Sequence, residues 1–408
     1  MGVPFDVLEV AGSCREIGRQ IGEGARPLIE RRVALFEADF ERFAGGMSLS
    51  TAEALTRPLL AAAERRLPQY VEELRGLAEG AVVPFSRILL MNCGEELTCT
   101  LPPQPGHCTS LALAGERRTI VAHNEDWEEQ DIAHQVLLRI VTPDDTRILA
   151  MTTAGLLAMT GMNSHGLAFG ANTVYAREAG ADAPMDGVPV DDAPPGAPVD
   201  DAPPGAPDEM SVAESGAALR GTLPGAPLAG LRPGVPNSLV CRWMLEAPTR
   251  GEATARALLS ERARGSNHLC GQAGGRIWDV ETSAARAAVI EGGALTGGRE
   301  WLAHTNHYLA DEMLALEGST SVGSRLRHAR ACELLREGLG RGTDPVELAG
   351  AVLRDHADAP TSICGHGGEG PDAPSPTTAS MIWELEERRM HICAGPPCEN
   401  PYRVVALG

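Results

Sequence analysis

Lysine is absent from the sequence. All 35 basic residues among the 408 are therefore arginine, and they stand against 55 acidic residues, which gives a net charge of −20. Without lysine the chain cannot form a lysine Schiff base, attach pyridoxal phosphate or carry a P-loop lysine. The sequence also has no stripe of basic residues, so we expect neither nucleic-acid binding nor binding to an anionic membrane.

Long apolar runs are missing as well. No run approaches the roughly 20 residues that a membrane-spanning helix needs, so no membrane span is predicted. Residues 1–10 include acidic side chains and no basic segment, which is not the pattern of a secretory signal. We therefore expect a cytoplasmic protein. Hydrophobic residues make up 43% of the chain, which is enough for one large domain or two smaller ones.

The cysteines lack a recognisable pattern. They occupy positions 14, 93, 99, 108, 241, 270, 332, 364, 393 and 398, and no Cys-x-x-Cys pair occurs among them. In a chain of this size, such scattered cysteines predict neither a disulfide framework nor a metal site of the zinc type. Most of them are expected to be small buried hydrophobic residues.

The spacing of apolar residues predicts a helical N-terminal segment over residues 1–107 and a mixed catalytic region over 108–408. Apolar side chains recur at helical spacing in 16–43 and 51–80. From 108 to 174, alternating patterns separated by turns predict antiparallel strands. The later predicted elements are helices at 237–246, 250–263, 324–339 and 344–356 and strands at 276–281, 286–290, 377–385 and 389–394. This order predicts an α+β fold in which helices cover antiparallel sheets.

One insertion interrupts that pattern, over about residues 176–235. It contains a tandem nonapeptide, because residues 189–197 (PVDDAPPGA) are repeated identically at 198–206. The repeat is acidic, rich in proline and glycine, and poor in large apolar side chains. Such a segment buries too little surface to offset the entropy of ordering it. We therefore predict a flexible surface loop.

Cys108 stands at the start of the first predicted strand of the second region. The proline-rich segment 101–106 before it cannot be a helix or a central strand, so it is predicted to be a loop that leads into the strand. One hairpin later, the next strand ends in Asn124, Glu125 and Asp126, and that end could return close to Cys108. From these residues alone, Cys108 is either an ordinary core thiol or a nucleophile.

Several short motifs occur in a fixed order along the chain. They are Cys108-Thr109-Ser110, Asn124-Glu125-Asp126, Gly161-Met162-Asn163, Gly265-Ser266-Asn267-His268, His304-Thr305-Asn306-His307 and Ser324-Arg325. With these motifs the chain resembles the family of acyl-coenzyme A:6-aminopenicillanate acyltransferases, which are autoproteolytic acyltransferases and hydrolases of the N-terminal-nucleophile (Ntn) type. The resemblance implies a four-layer αββα sandwich of two antiparallel sheets. It also implies that the chain cleaves itself before the cysteine, whose freed α-amine then serves as the base.

The resemblance assigns roles to individual residues. It implies that Cys108 is the nucleophile, that Asp126 orients it and that Asn267 contributes to an oxyanion hole. It also implies that the pair Ser324-Arg325 belongs to the site. Each residue has a simpler interpretation: Asp126 as a solvated acid, Asn267 as a turn residue, Ser324 as a helix N-cap and Arg325 as a cation on a helix surface.

The residue before Cys108 departs from the family pattern, in which a small residue, often glycine, stands there. Here it is histidine, whose Cβ restricts the strained backbone that self-cleavage needs. If the chain is not cleaved, Cys108 has no α-amine and a side chain must act as its base. The candidate bases are His304, His268, His107, His123 and His307.

The resemblance implies an N-acyltransferase that forms an amide from an acyl thioester and a small-molecule amine, in natural-product biosynthesis such as antibiotic assembly. The thioester would be carried by coenzyme A or by the phosphopantetheine of a carrier protein, and no other cofactor is expected. Substrate contacts are expected from Glu95, Asn124 and Asn306. The alternatives are an amide hydrolase with the same residues and a catalytically silent binding protein. Self-cleavage would make the chain an αβ heterodimer.

Overall fold

The computed structural model of the chain describes residues 6–44, 46–98, 108–115, 117–176, 232–292, 300–318, 321–368 and 374–408. His107, the tandem nonapeptide and nearly all of the predicted flexible insertion lie outside the described residues. None of the helices within these ranges combines the length and the apolar character that a bilayer crossing requires.

The N-terminal segment is mainly helical. It contains β1 (Val7–Ala11), α1 (Cys14–Gly24), α2 (Arg26–Phe43), α3 (Leu49–Arg66), α4 (Pro68–Ala81), α5 (Phe85–Asn92) and α6 (Gly94–Thr98). The predicted helical ranges are confirmed, but each holds two helices. Ser13 begins α1 with a capping box to Glu16, and Pro68 occupies the first position of α4, where its missing N–H costs no hydrogen bond. The strand β1 was not predicted.

Helices α1 and α4 pack with their backbones in close contact. A Cβ atom on Gly18 would lie 1.9 Å from the backbone oxygen of Glu73, and one on Gly76 would lie 2.1 Å from that of Arg15. Only glycine allows this approach at either position. The paired glycines thus fix the helical layer that lies beside the sheets.

The rest of the described chain alternates between strands and helices. The strands are β2 (Thr109–Ala114), β3 (Thr119–Asp126), β4 (Gln135–Val141), β5 (Arg147–Thr153), β6 (Thr160–Asn163), β7 (Leu167–Asn172), β8 (Asn267–Gln272), β9 (Arg276–Thr282), β10 (Ala287–Gly292), β11 (Trp301–His304), β12 (Thr377–Glu384), β13 (Arg389–Ala394) and β14 (Arg403–Ala406). The helices are α7 (Asn237–Met244), α8 (Arg250–Ala257), α9 (Asp311–Leu314), α10 (Val322–Gly340) and α11 (Pro345–Leu353).

These strands form two sheets. The first sheet has the order β1-β4-β5-β6-β7-β8-β9-β10, and the second has the order β11-β2-β3-β12-β13-β14. Neighbouring strands pair antiparallel, as predicted, except that β1 lies parallel to β4. Because β1 precedes all of the N-terminal helices, this pairing ties the start of the described chain to the edge of the first sheet.

The two sheets pack face to face, and helices cover both outer faces. The core between the sheets includes Ala112, Val121, Leu149, Met162 and Trp383. Helices α1, α4, α5 and α7 bury the outer face of the first sheet, and α10 with α11 buries the outer face of the second. The predicted four-layer αββα sandwich is therefore confirmed, and this fold brings the C-terminal end of β3 next to the N-terminal end of β2.

Candidate active site

Cys108 lies at the N-terminal end of β2 and is 5% exposed. Strands β2 and β3 pair with Thr109 opposite Asn124, so the next residue of β3, Glu125, comes beside Cys108. The Cys108 sulfur is 3.7 Å from Glu125 Oε1. The hairpin therefore places the thiol and a carboxylate side by side, as the polar end of the second strand indicated.

Arg327, from α10, holds the backbone at Cys108. This buried guanidinium donates hydrogen bonds to the Cys108 carbonyl oxygen at 2.7 Å, to Thr109 Oγ1 at 2.9 Å and to Asn306 Oδ1 at 2.8 Å. Asn306 Oδ1 also accepts the backbone N–H of Cys108 at 3.1 Å. Both polar groups of the Cys108 backbone are thus held by buried side chains from elsewhere in the chain.

Asp126 contacts Cys108 through its backbone. Its N–H donates a hydrogen bond to the Cys108 sulfur, and its buried carboxylate accepts one from Thr377 Oγ1 at 2.6 Å. Burial raises the pKa of the Asp126 carboxyl well above its usual range, while the nearby charge of Arg327 opposes that rise. Asp126 lies in a buried position beside Cys108, rather than being the solvated acid of its simpler interpretation.

The Cys108 thiol is not ionised by its surroundings. Burial raises its pKa well above the usual range, and the carboxylates of Glu125 and Asp126 raise it further. The Asp126 N–H and the Arg327 charge act in the opposite direction without outweighing the burial. A proton acceptor is therefore needed before this thiol can act as a nucleophile.

A chain of polar side chains leads from Glu125 towards the first sheet. His123 Nε2 lies 3.1 Å from Glu125 Oε2, and His123 Nδ1 lies 2.8 Å from Ser110 Oγ. Ser110 donates to Asn172 Oδ1 at 3.1 Å, and Asn172 Nδ2 donates to Asn267 Oδ1 at 2.7 Å. A ring nitrogen of His123 thus lies within 4.8 Å of the Cys108 sulfur, and the hydrogen bond between His123 and Glu125 fixes the orientation of Glu125 beside the thiol.

Asn267 occupies the far end of this chain. Its side-chain N–H donates to Asp279 at 2.5 Å, so its amide is already engaged on both sides. Asn172, at the end of β7, lines the pocket next to Cys108, whereas Asn267 does not. The structure therefore places Asn267 behind Asn172 rather than at the reacting position that the resemblance implied.

Two of the candidate bases lie away from Cys108. His304 is buried between Glu281, 2.7 Å from its Nε2, and the backbone oxygen of Thr305, 2.7 Å from its Nδ1. His268 faces Cys241 with Nε2 at 3.4 Å, and burial lowers its pKa to about 3. Both ring nitrogens of His304 are thus engaged by other groups, whereas the buried Nδ1 of His268 has no hydrogen-bond partner among the described residues.

Ser324 and Arg325 differ in placement although they are adjacent on α10. Ser324 Oγ accepts the backbone N–H of Asn306 at 2.9 Å and lies 2.8 Å from His307 Nδ1, so it supports the loop that carries Asn306. The N-cap of α10 is Ser321. The Arg325 side chain is 56% exposed and pairs with Glu317. Arg325 was predicted to belong to the site, but the structure places it outside the site.

The residues expected to contact substrate also differ in placement. Asn306 lines the pocket beside Cys108, as does Glu95, which pairs with Arg264 Nη1 at 2.7 Å and accepts from Thr173 Oγ1 at 2.6 Å. Asn124 is buried, and its amide donates to the backbone oxygens of residues 353 and 363. The structure places Asn124 behind the site, where substrate does not reach it.

The pocket in front of Cys108 is lined by both acidic and apolar side chains. Its acidic lining consists of Glu95, Glu125, Glu128 and Asp131, and its basic residue is Arg32, which pairs with Asp131 at 2.8 Å. Its apolar lining includes Leu35, Phe36, Met91, Met151, Leu156 and Met159. Such a pocket can accommodate an apolar acyl chain and a cationic amine next to the thiol.

The sequence did not reveal the roles of three side chains close to Cys108. It did not identify Arg327 or Asn172, and it did not identify Glu125 as the carboxylate next to the thiol. Glu125 was visible as part of the polar end of a strand, and Asn172 ends a strand in the same way. Arg327 is one of several arginines on α10, and its sequence neighbours carry no sign of its role. Its burial is a consequence of the helix orientation alone.

Comparisons with known proteins give partial matches. No family model matches the chain. It is 26% identical over 164 residues to the acyl-coenzyme A:6-aminopenicillanic-acid-acyltransferase 40 kDa form of Emericella nidulans, which covers 40% of this chain and 46% of that protein. It is 25% identical over 188 residues to the beta-alanyl-dopamine/carcinine hydrolase of Drosophila melanogaster, which covers 42% of this chain and 49% of that protein. The chain thus matches about half the length of these curated relatives.

Solved structures give weaker matches. Conjugated bile acid hydrolase from Clostridium perfringens has a TM-score of 0.44 and 13% identity and covers 74% of this chain and 92% of its own. Penicillin V acylase from Agrobacterium tumefaciens has a TM-score of 0.37 and 14% identity and covers 70% of this chain and 82% of its own. The sequence matches confirm the resemblance to the acyl-coenzyme A:6-aminopenicillanate acyltransferases and to hydrolases of similar sequence. The relatives are enzymes that act on amides.

Proposed function

We propose that the chain is a cysteine-dependent N-acyltransferase that makes an amide from an acyl thioester and an amine, in natural-product biosynthesis. The observation that carries the proposal is the position of Cys108, held by Arg327 and Asn306 in a pocket lined by both apolar side chains and carboxylates. The apolar side chains suit an acyl chain, and the carboxylates suit a protonated amine.

The proposed reaction proceeds through an acyl-Cys108 thioester. The thiolate attacks the carbonyl carbon of the donor, the new carbon–sulfur bond forms, and the donor thiol leaves with a proton. An amine then attacks the same carbon, the amide forms, and the Cys108 thiol is regenerated. The donor thioester is a co-substrate, and no other cofactor is required for these steps.

The base that activates Cys108 depends on self-cleavage. If the bond before Cys108 is cut, the nitrogen that now donates to Asn306 Oδ1 at 3.1 Å becomes an α-amine. The same oxygen binds Arg327 Nη2, so a cation lies close to that amine and favours its neutral, proton-accepting form. If the bond stays intact, Glu125, at 3.7 Å from the sulfur and oriented by His123, is the nearest acceptor.

Amide hydrolysis is the second candidate, and the charge of the pocket favours it. The carboxylates of Glu95, Glu125 and Glu128 would repel the phosphates of coenzyme A, whereas they suit the cationic amine that leaves when an amide is cleaved. The hydrolase from Drosophila acts, as its name states, on beta-alanyl-dopamine and carcinine, and the shared acyl-cysteine step needs only water in place of the amine. An uncharged pantetheine thioester avoids the same repulsion during acyl transfer.

The first test is the intact mass of the purified protein. Fragments of residues 1–107 and 108–408, seen in the wild type and absent from Cys108→Ala, would identify the α-amine as the base. A single full-length mass in both would direct attention to Glu125. Cys270→Ala, which removes an equally buried cysteine, is the control for the substitution itself.

The second test follows the acyl group. The protein is incubated with a panel of acyl-pantetheine thioesters, with and without amines, and with the corresponding N-acyl amides. Acyl transfer predicts an acyl adduct on Cys108 and an amide product whose yield rises with amine concentration. Free acid formed from the amides, with no amide formed from the thioesters, would identify a hydrolase instead. No adduct and no turnover with any member of the panel would contradict both proposals.

A further inference from the structure

A second cluster of reactive side chains lies near the C-terminal end of α11, away from the pocket. It consists of His356, Cys364, His366 and Cys398, whose ligand atoms all lie within 4.8 Å of one another. The two sulfurs are 3.7 Å apart, and the two Nε2 atoms are 2.9 Å apart. His366 Nε2 is 3.8 Å from the Cys364 sulfur and 3.3 Å from that of Cys398.

We propose that these four side chains, the two histidines and two cysteines, bind one zinc ion in a tetrahedral site. With Zn–S bonds of about 2.3 Å and Zn–N bonds of about 2.0 Å, tetrahedral geometry puts two sulfurs about 3.8 Å apart, a sulfur and a nitrogen about 3.5 Å apart, and two nitrogens about 3.3 Å apart. The sulfur–sulfur and nitrogen–nitrogen separations and the two distances from His366 Nε2 to the sulfurs lie within about half an ångström of those values. Two thiolates and two imidazoles at such separations are a donor set typical of zinc.

The surroundings of His366 support the same interpretation. Its Nδ1 lies 3.3 Å from Glu399 Oε1, while its Nε2 is directed at the two sulfurs and at His356. A carboxylate on the second ring nitrogen is the arrangement that orients metal-bound histidines and makes them better ligands. The contacts of His366 therefore already orient its Nε2 as a metal ligand would be oriented.

The backbone around Cys364 holds its side chain in place. The Cys364 N–H donates to the backbone oxygen of Asp355 at 3.0 Å, and the Cys364 carbonyl accepts from Ser362 Oγ at 2.8 Å. His366 forms an isolated β-bridge with Pro376. The ligands come from two segments, residues 356–366 and the turn after β13, so an ion here would join those segments. With four protein ligands the site is closed, which is typical of a structural rather than a catalytic zinc.

A disulfide between Cys364 and Cys398 is the competing interpretation. A disulfide bond requires sulfurs about 2.0 Å apart, and these are 3.7 Å apart. A disulfide would also leave the paired imidazoles of His356 and His366 without a common partner. The scattered spacing of the cysteines, with no Cys-x-x-Cys pair, predicted no zinc site, because the four ligands come together only through the packing of two loops.

The site is connected to the candidate active site through one residue of the same loop. The N–H of Gly365, between Cys364 and His366, donates to Thr377 Oγ1 at 3.0 Å, and that hydroxyl donates to Asp126 at 2.6 Å. An ion that fixes this loop would fix the partner of Asp126 as well. Zinc loss is therefore expected to lower both the melting temperature and the activity.

The metal content of the full chain, purified under reducing conditions, tests the proposal directly. Mass spectrometry of the metals should find one zinc per chain in the wild type and none in Cys398→Ser, whose side chain is exposed and whose loss costs little packing. Cys332→Ser is the matched control, because Cys332 also lies beside a histidine, His328, at 3.5 Å. This control should keep its zinc.

Cobalt substitution supplies a readout that does not depend on activity. The desalted protein, titrated with cobalt, should develop the ligand-field bands of a tetrahedral ion and a thiolate-to-cobalt charge-transfer band, as two thiols release their protons to the buffer. Circular dichroism shows whether each variant is folded. His366→Gln, as a second variant, should also lose the bands.

Three results would overturn the proposal. The first is wild-type protein that contains no zinc and takes up neither zinc nor cobalt under reducing conditions. The second is zinc retained at full stoichiometry in both Cys398→Ser and His366→Gln. The third is a Cys364–Cys398 disulfide, found by peptide mapping without reduction in freshly prepared metal-free protein.

Discussion

Replacing Arg327 by methionine should damage the protein far more than the same change two residues earlier. Arg327 is fully buried, and it donates hydrogen bonds to the Cys108 carbonyl, to Thr109 and to Asn306. Arg325 on the same helix is exposed and pairs with Glu317 at the surface. The pair therefore forms a matched comparison between a buried and an exposed arginine.

The magnitude follows from the charges that Arg327 leaves behind. Removing one partner from a buried set of charges costs about 3–5 kcal/mol of unfolding free energy, because the remaining charge has lost its compensation. Above its raised folded-state pKa, Asp126 carries the charge that is left behind, because burial raises that pKa and Arg327 opposes the rise. An exposed ion pair contributes about 0–1 kcal/mol, so Arg325→Met should change the unfolding free energy by no more than about 1 kcal/mol. Loss of the Cys108 backbone position should also lower kcat/KM about 100-fold in Arg327→Met.

The stability lost in Arg327→Met should depend on pH in a defined direction. Without Arg327, the folded-state pKa of Asp126 rises further above its unfolded value of about 3.9, so the folded state binds this proton more tightly. Stability is then lost as pH rises from about 4 towards the folded-state pKa, because the unfolded chain releases this proton while the folded state still holds it. The deficit of Arg327→Met relative to wild type should therefore be larger at pH 8 than at pH 5. Adding Asp126→Asn should remove most of this pH dependence.

Urea unfolding of the single and double variants at both pH values provides the measurement, with kcat/KM measured on whichever acyl or amide substrate the panel identifies. Equal stabilities for Arg327→Met and Arg325→Met would refute the reasoning, as would a deficit that shrinks as pH rises. If Arg327→Met does not fold at pH 8, folding at pH 5 or in the double variant still separates a charge effect from a packing effect.

Three further predictions concern other parts of the site. Cys108→Ala should abolish turnover and leave circular dichroism unchanged, whereas Cys270→Ala should stay active; wild-type turnover in Cys108→Ala would exclude the assigned nucleophile. Glu95→Gln should raise KM for cationic amines more than for neutral ones in steady-state kinetics, and an equal change for both would exclude a charge role. Burial opposes the charged form of His304, but the neighbouring carboxylates outweigh burial and raise the pKa of His304. The stability that these carboxylates supply is therefore present below about pH 6.5 and is lost as pH rises through the raised pKa. Glu281→Gln should therefore lower the unfolding free energy by about 1–3 kcal/mol near pH 6 and by less near pH 9; an equal loss at both values would contradict this.

The layers of the fold could be predicted from sequence because each element has its own periodicity. The long amphipathic ranges 16–43 and 51–80 predict helices whatever they pack against, and the strands between 108 and 174 alternate clearly. The elements that were missed are short, such as β1 and β14, or consist largely of polar residues, such as β8, which begins with Asn267 and His268. In β8 the buried polar residues Asn267 and His268 are followed by the apolar core residues Leu269 and Cys270, so polar and apolar residues do not alternate there.

The site was less predictable, because its contacts join residues far apart in the chain. Cys108 meets Glu125 through a hairpin, which a strand–turn–strand pattern indicates. Its contacts with Asn306 and Arg327 span about 200 residues, and no local pattern encodes them. The resemblance correctly included Asn306 in one of its motifs. It assigned Arg325 to the site, whereas the structure places Arg327 there.

The exchange of Arg325 for Arg327 has a simple geometric reason. Successive residues of a helix point about 100° apart, whereas residues three apart lie on the same face. Ser324 faces the loop that carries Asn306, so Arg325 must point away from it, while Arg327 returns to the inward face together with Ala331 and Leu335. On this helix the adjacent Ser324 and Arg325 therefore do not both face the site. The helix period places Arg327 on the same face as Ser324, but the structure was needed to show that this face is the buried one.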